Sequence, residues 1–230
     1  MKKLIIKNKI KSLKSFTLAE TLITLLIIGI VAILTIKSLI SYTSDLEIRS
    51  SWKKDFSTLS QAIQLLRNDN GGTLLGLCAG GDHTCFKNAL APYLSYLKAC
   101  DMSSSTTQPG GCWHIYNGDG TFQAKYLSGD AVTTSHWLIS PAGFVLKNGH
   151  LLYISWYKSD CKETGYGPNA LSCGYISVDV NGFKGPNTVG KDIFETSVRA
   201  DVLKPIGSMD DNFNNSCSGA GYGCAAKYLE

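Results

Sequence analysis

Twenty-one residues from Phe16 to Ile36 carry one charged side chain, Glu20, among apolar, small and hydroxyl-bearing ones. That length matches the roughly 20 apolar residues an α-helix needs to cross a bilayer, whereas helices buried in soluble cores are usually shorter or keep a polar face. The run reads as a membrane span. Six lysines (Lys2, Lys3, Lys7, Lys9, Lys11 and Lys14) and no acid precede it. The positive-inside bias holds such a leader in the cytoplasm and sends the chain after Lys37 across the membrane. A secretory signal peptide also begins with lysines, but its apolar stretch of about 7–15 residues ends in a small-residue cleavage site. Here the run is longer and continues into "TIKSLISYTSD".

The leader also accounts for the chain's net charge. Of 22 basic residues six precede Phe16, so the remainder carries 16 against 18 acids, a balance of −2. No positive excess is left to hold phosphates, and no basic-plus-aromatic pattern marks a nucleic-acid partner. With 230 residues, 44% of them hydrophobic and 17% charged, the expectation is one folded domain plus an anchor.

Ser15 is a small residue between the basic leader and Phe16, and Glu20 is the fifth residue after that junction. The stretch "SFTLAETL" resembles the type IV prepilin family, whose precursors are cut after a small residue, usually glycine, before a phenylalanine in a pattern like "GFTLIEL". The resemblance covers residues 1–40 and departs from the pattern at Ser15. It implies that a prepilin peptidase removes Met1–Ser15 and methylates the new amine on Phe16. It also implies that mature subunits leave the inner-membrane lipid and pack by their helices into a filament, a type IV pilus or a type II secretion pseudopilus. On that reading Glu20, costing about 2.5–3.5 kcal/mol in mid-bilayer, would pair with the Phe16 amine of a neighbouring subunit. Without a neighbour it would be a shallow charge eased by the positive end of its helix.

The helix is expected to run on. No proline occurs between Phe16 and Asn68, and Trp52, Phe56, Leu59, Ile63 and Leu66 recur at spacings of four and three. "LRNDNGG" supplies the stop. A helix from about Thr17 to Arg67 spans on the order of 75 Å. Beyond it, "CFKNALAPYLSYLKAC" has helical spacing at Phe86, Leu90, Leu94 and Leu97, with Pro92 kinking or starting the helix. "GFVLKNGHLLYISWY" reads as a hairpin around a type I′ Asn148-Gly149 turn, and "GYISVDV" as a strand with Ile176, Val178 and Val180 on one face. The expected fold is α+β: a pilin-like roll with a small antiparallel sheet across the striped half of the helix. The expected organisation is a leader over 1–15, a membrane or filament-core helix over 16–40 and an external domain over 41–230.

Eight cysteines (Cys78, Cys85, Cys100, Cys112, Cys161, Cys173, Cys217 and Cys224) all follow the membrane run, on the oxidising side. Of 105 possible pairings, the intervals 7, 12, 12 and 7 within successive pairs favour neighbours. His83 and His114 flank cysteines, yet no C-x-x-C pair supports zinc. In "DVNGFKGPNTVGKDIFE", the oxygen-bearing Asp179, Asn181, Asn187, Asp192 and Glu195 suit calcium, but the EF-hand spacing fails at Gly182, Phe183 and Lys184. The alternative is a glycine-rich turn whose side chains bond their own backbone. No G-x-S-x-G, H-E-x-x-H or phosphate loop occurs, and His83, His114, His136 and His150 are scattered. The expected role is therefore a non-enzymatic filament subunit, pilin or pseudopilin. The alternatives are a minor pilin for adhesion or DNA uptake, and a single-span anchored periplasmic enzyme or binding protein.

Overall fold

The computed structural model describes residues 17–101, 104–133, 142–214 and 216–230. It divides into two units after Asp45. Helix α1 (Leu18–Asp69) is 52 residues long. In the first unit its stretch Leu18–Thr35 is long and apolar enough to cross a membrane, and none of it is buried. At its other end Gly71 takes φ 76° and Gly72 φ 91°. The Gly72 amide donates to the Arg67 carbonyl at 2.8 Å and that of Gly71 to Asn68 at 3.3 Å, the Schellman arrangement that satisfies the last carbonyls of a helix.

The second unit, Leu46–Glu230, is an α+β domain with one antiparallel sheet of six strands in the order β1-β2-β3-β4-β5-β6. The strands are β1 (Tyr96–Cys100), β2 (Ala142–Leu146), β3 (Leu151–Trp156), β4 (Gly174–Asp179), β5 (Ile193–Val198) and β6 (Leu203–Pro205). Helices α2 (His83–Leu90) and α3 (Cys224–Lys227) complete it. One sheet face meets the striped part of α1: Ile48, Trp52, Leu59, Ile63 and Leu66 share a core with Phe144, Leu152, Ile154, Ile176, Val178 and Phe194. The Trp52 indole stacks on Phe194 at 4.8 Å and donates to the Ala225 carbonyl at 2.9 Å, so this large ring is buried with its polar atom paired. Phe56 packs at the margin of this core.

Two local expectations are corrected. The helical spacing through Leu97 does not hold: α2 stops at Leu90, a 3₁₀ turn spans Ala91–Tyr93 with Pro92 in its first turn, and Leu97 lies in β1, 68% exposed. Pro92 has no N–H to continue the α2 ladder, and pairing with β2 draws Tyr96–Cys100 into the sheet. The hairpin exists, but its turn is not type I′. Only Gly149 has positive φ (85°). The Leu146 amide donates to the His150 carbonyl and that of Gly149 to Leu146, which makes a three-residue loop ending in a left-handed glycine. The sheet is also covered on both faces. Tyr153, Tyr175 and Ile193 pack on its outer side with Trp113, Phe122, Val132, Tyr166 and Tyr222 in a second core.

The cysteines form Cys78–Cys85, Cys100–Cys112, Cys161–Cys173 and Cys217–Cys224, each joining neighbours in the sequence. They staple loops to framework: α2 to the chain before it, β1 to the outer layer, β4 to its incoming loop and α3 to the C-terminal coil. Closing loops of this size stabilises by roughly 2–3 kcal/mol each on chain-entropy grounds.

Candidate functional site

The candidate site in the first unit begins at Thr17. Its backbone N–H donates to Glu20 Oε2 at 2.9 Å, its hydroxyl donates to the same oxygen at 3.0 Å, and the Glu20 amide donates back to the Thr17 hydroxyl at 3.3 Å. Thr17 precedes the first helical residue, Leu18, so the two side chains form a reciprocal capping box that satisfies otherwise orphaned amides. The T-x-x-E spacing was present in the sequence as a capping signal, and it gives Glu20 a partner within its own chain. Apolar side chains surround this start: Leu18, Leu22, Ile23, Leu25 and Leu26 are each more than half exposed. Ser15 and Phe16, the expected cleavage junction, lie outside the described residues, as does His136.

In the second unit the remaining histidines and acids are brought into three separate arrangements. Asp55 on α1 reaches the β2–β3 turn, where His150 Nδ1 sits 2.5 Å from Asp55 Oδ2 and Asn148 Nδ2 donates to Asp55 Oδ1 at 3.4 Å. This fixes the turn against the helix. His83, at the start of α2, accepts the Trp156 amide on Nδ1 at 2.8 Å. Burial disfavours its charged form and lowers its pKa below the usual histidine value. Neither His83 nor His114 shares a metal with the cysteine near it in the sequence, since Cys85 and Cys112 are in disulfides.

The third arrangement is the 179–195 stretch. His114 Nε2 lies 2.8 Å from Asp179 Oδ2, and the Asn181 amide donates to Asp179 Oδ1 at 3.0 Å. Burial pushes the Asp179 carboxyl up to about 6, against the opposing pull of the His114 bond, and neighbouring Asp192 adds to the rise. Asp192 Oδ2 accepts the Asn187 amide at 2.8 Å and Asn181 Nδ2 at 2.9 Å, while Oδ1 accepts the Thr188 amide at 2.5 Å. Glu195 stands apart from this set, on β5 in the outer layer, where the Tyr166 hydroxyl bonds it. The two aspartates thus face N–H donors in a self-bonded turn. Among the described residues no three His, Cys, Asp or Glu side chains gather as metal ligands would. Asn181 and Asn187 retain buried side-chain oxygens with no hydrogen-bond donor.

Comparison with protein-family models, with curated proteins and with solved structures finds no match to this chain.

Proposed function

We propose that the chain is a structural subunit, a pilin or pseudopilin, of a type IV pilus or type II secretion filament. It would be held in the inner membrane by its first helix with the stapled domain outside, cut after Ser15 by a prepilin peptidase, and packed through that helix against other subunits. The observation that carries the reading is the helix Leu18–Thr35, apolar and unburied along its length and beginning directly after the "SFT" junction. So much apolar surface needs lipid or other helices as its surroundings. The four disulfides support an oxidising location for the rest of the chain.

The test is the N-terminal residue of the mature protein in cells that contain prepilin peptidase: a methylated Phe16 is expected, and a retained Met1–Ser15 leader would overturn the reading. Glu20→Ala then asks what the carboxylate does. In a filament it would leave a neighbour's Phe16 amine without a counter-ion, which typically costs about 3–5 kcal/mol, so the variant should insert and be cleaved yet incorporate poorly beside wild type.

The capping box favours a second reading, a plain single-pass anchor. There Glu20 already has its partner in Thr17 of the same chain, and a mature protein that retains Met1–Ser15 would support it.

A further inference from the structure

The segment 78–83 crosses the end of β3 and holds one residue, Trp156, at three points. The Trp156 backbone N–H donates to His83 Nδ1 at 2.8 Å, its carbonyl accepts the Gly81 N–H at 3.0 Å, and its indole N–H donates to the Cys78 carbonyl at 3.1 Å. The segment lies close on the strand end: a Cβ at Gly80 would come within 2.8 Å of the Tyr157 carbonyl oxygen. Trp156 also meets the Phe86 ring at 4.7 Å, and both residues are fully buried. The Cys78–Cys85 disulfide closes the loop, so the segment can lift from β3 and stay tethered. Two of the three bonds accept on, or donate from, backbone groups that do not titrate. The third ends on an imidazole nitrogen that accepts only while it is unprotonated.

From this arrangement we infer that the segment 78–83 is an acid-released strap on β3, with His83 as its latch. Protonation turns Nδ1 from acceptor to donor and sets it against the Trp156 N–H, two donors face to face in a buried site. The charged groups around the ring are few. On α2, Asp82 caps the helix by accepting the Cys85 N–H at 2.8 Å, and Lys87, one turn on, is paired with Asp101. From β3 the Tyr157 ring meets the imidazole edge-on at 5.7 Å. His83 is 1% exposed; burial holds its pKa below the usual 6.5, and the Asp82 charge opposes that. With the strap lifted the ring is solvated and recovers its ordinary affinity for a proton, so acid draws the equilibrium toward the open form. Opening uncovers Trp156 and Phe86, an apolar surface presented in acid and withdrawn on neutralisation. The inference stands whether the chain is a filament subunit or a plain anchor, since the strap lies wholly within the second unit.

The test is amide exchange of the full chain in detergent from about pH 7 to about pH 5, the range in which histidine titrates. Results are expressed as protection factors, so that the intrinsic pH dependence of exchange drops out. The Gly81 and Trp156 amides should lose protection by up to about tenfold per pH unit below 6.5. Ile176 and Val178, in the interior strand β4, should keep theirs. His83→Gln offers an acceptor that does not titrate, and its protection at Gly81 and Trp156 should be flat with pH. Asp82→Asn retains a helix cap but removes the charge that favours the imidazolium, so its opening should move to lower pH. Protection lost at Ile176 in step with Gly81 would overturn the strap, because the whole domain would then be opening. A His83→Gln chain that opens with the wild-type pH profile would overturn the latch, as would an Asp82→Asn profile that does not move.

Discussion

Along α1, Leu22, Leu25, Leu26, Ile27 and Ile28 are each more than half exposed, whereas Trp52, Leu59 and Ile63 are at most 1% exposed. An acid sits in each stretch as well: Glu20 is exposed and bonded to Thr17, three residues away, and Asp55 is buried and bonded to His150, 95 residues away. The first stretch is apolar on every side, long and apolar enough to cross a membrane, and the second only along a stripe that fits a single protein face. Helical propensity is common to both. What differs is where each side chain finds its partners, and mutations should report that difference directly.

The largest contrast is expected from truncating apolar side chains. Trp52→Ala removes a stacked, hydrogen-bonded ring from the core and should destabilise the folded domain by about 3–5 kcal/mol, read as a lower urea midpoint of the full chain in detergent. Leu26→Ala, in the exposed stretch, should leave that midpoint where it is. Equal shifts from the two would mean that Leu18–Thr35 packs on the domain.

The second region should show a pH dependence set by its buried groups. Asp179 has its folded pKa raised from 3.8 to about 6, so the folded state binds its proton more tightly than the unfolded chain does. Its contribution is fully present below about pH 4 and is lost as pH rises through about 6. His83 runs the other way. Its folded pKa is lowered from 6.5, so its contribution is present above that value and is lost as pH falls through the folded pKa. Wild type measured against Asp179→Asn from pH 7 to 4 should show the wild type gaining, and a flat difference would sink the assignment. The same series on His83→Gln should show the wild type losing its advantage in acid.

Next in size is Asp55→Ala, which removes a buried carboxylate that pairs with the partly exposed His150 and the exposed Asn148. Hydrogen bonds to a charged group contribute about 1.5–3 kcal/mol, and the loss should fall at the lower end because water reaches both donors. Thermal denaturation should show the loss, together with a mobile β2–β3 turn by hydrogen exchange at Gly149 and His150. An unchanged midpoint would place the pair among contacts that solvent replaces at no cost.

What could be read beforehand followed the range of the interactions. The apolar run, the end of α1 at Gly71 and Gly72, the striped face and the hairpin at Gly149 are local patterns, and they appear in the sequence as such. Strand β1 was hidden because Phe86, Leu90, Leu94 and Leu97 keep a helical period that sheet pairing with Ala142–Leu146 overrides. The second core was hidden because the outward residues of β3 to β5 include polar ones such as Ser155, Ser177 and Glu195, which are buried only by loops that long-range packing places over them. His114 and Asp179 are 65 residues apart, and no spacing rule joins them. Thr17 and Glu20 are the reverse case: a local signal was overshadowed by the more conspicuous question of a carboxylate in an apolar run.

The smallest effect is expected at that capping box, and it sharpens the comparison most. In the isolated chain Glu20 has two attributes, a negative charge and an acceptor placed for the Thr17 amide, and only the second is needed to start the helix. Glu20→Gln keeps an acceptor at the third helical position, as capping boxes allow, while Glu20→Ala removes it, and losing a cap typically costs about 1 kcal/mol. The chain in micelles should therefore show fraying at Leu18 and Ala19, by amide exchange, in the alanine variant and much less in the glutamine variant. Thr17→Val should fray the same turn, because it deletes the reciprocal hydroxyl, and Thr17→Ser should not. The buried stripe from Ile48 to Leu66 should exchange at the wild-type rate in all four, since it is held by the sheet. Equal fraying in Glu20→Gln and Glu20→Ala would mean that charge beside the helix terminus, and not the hydrogen-bonded box, fixes where α1 begins.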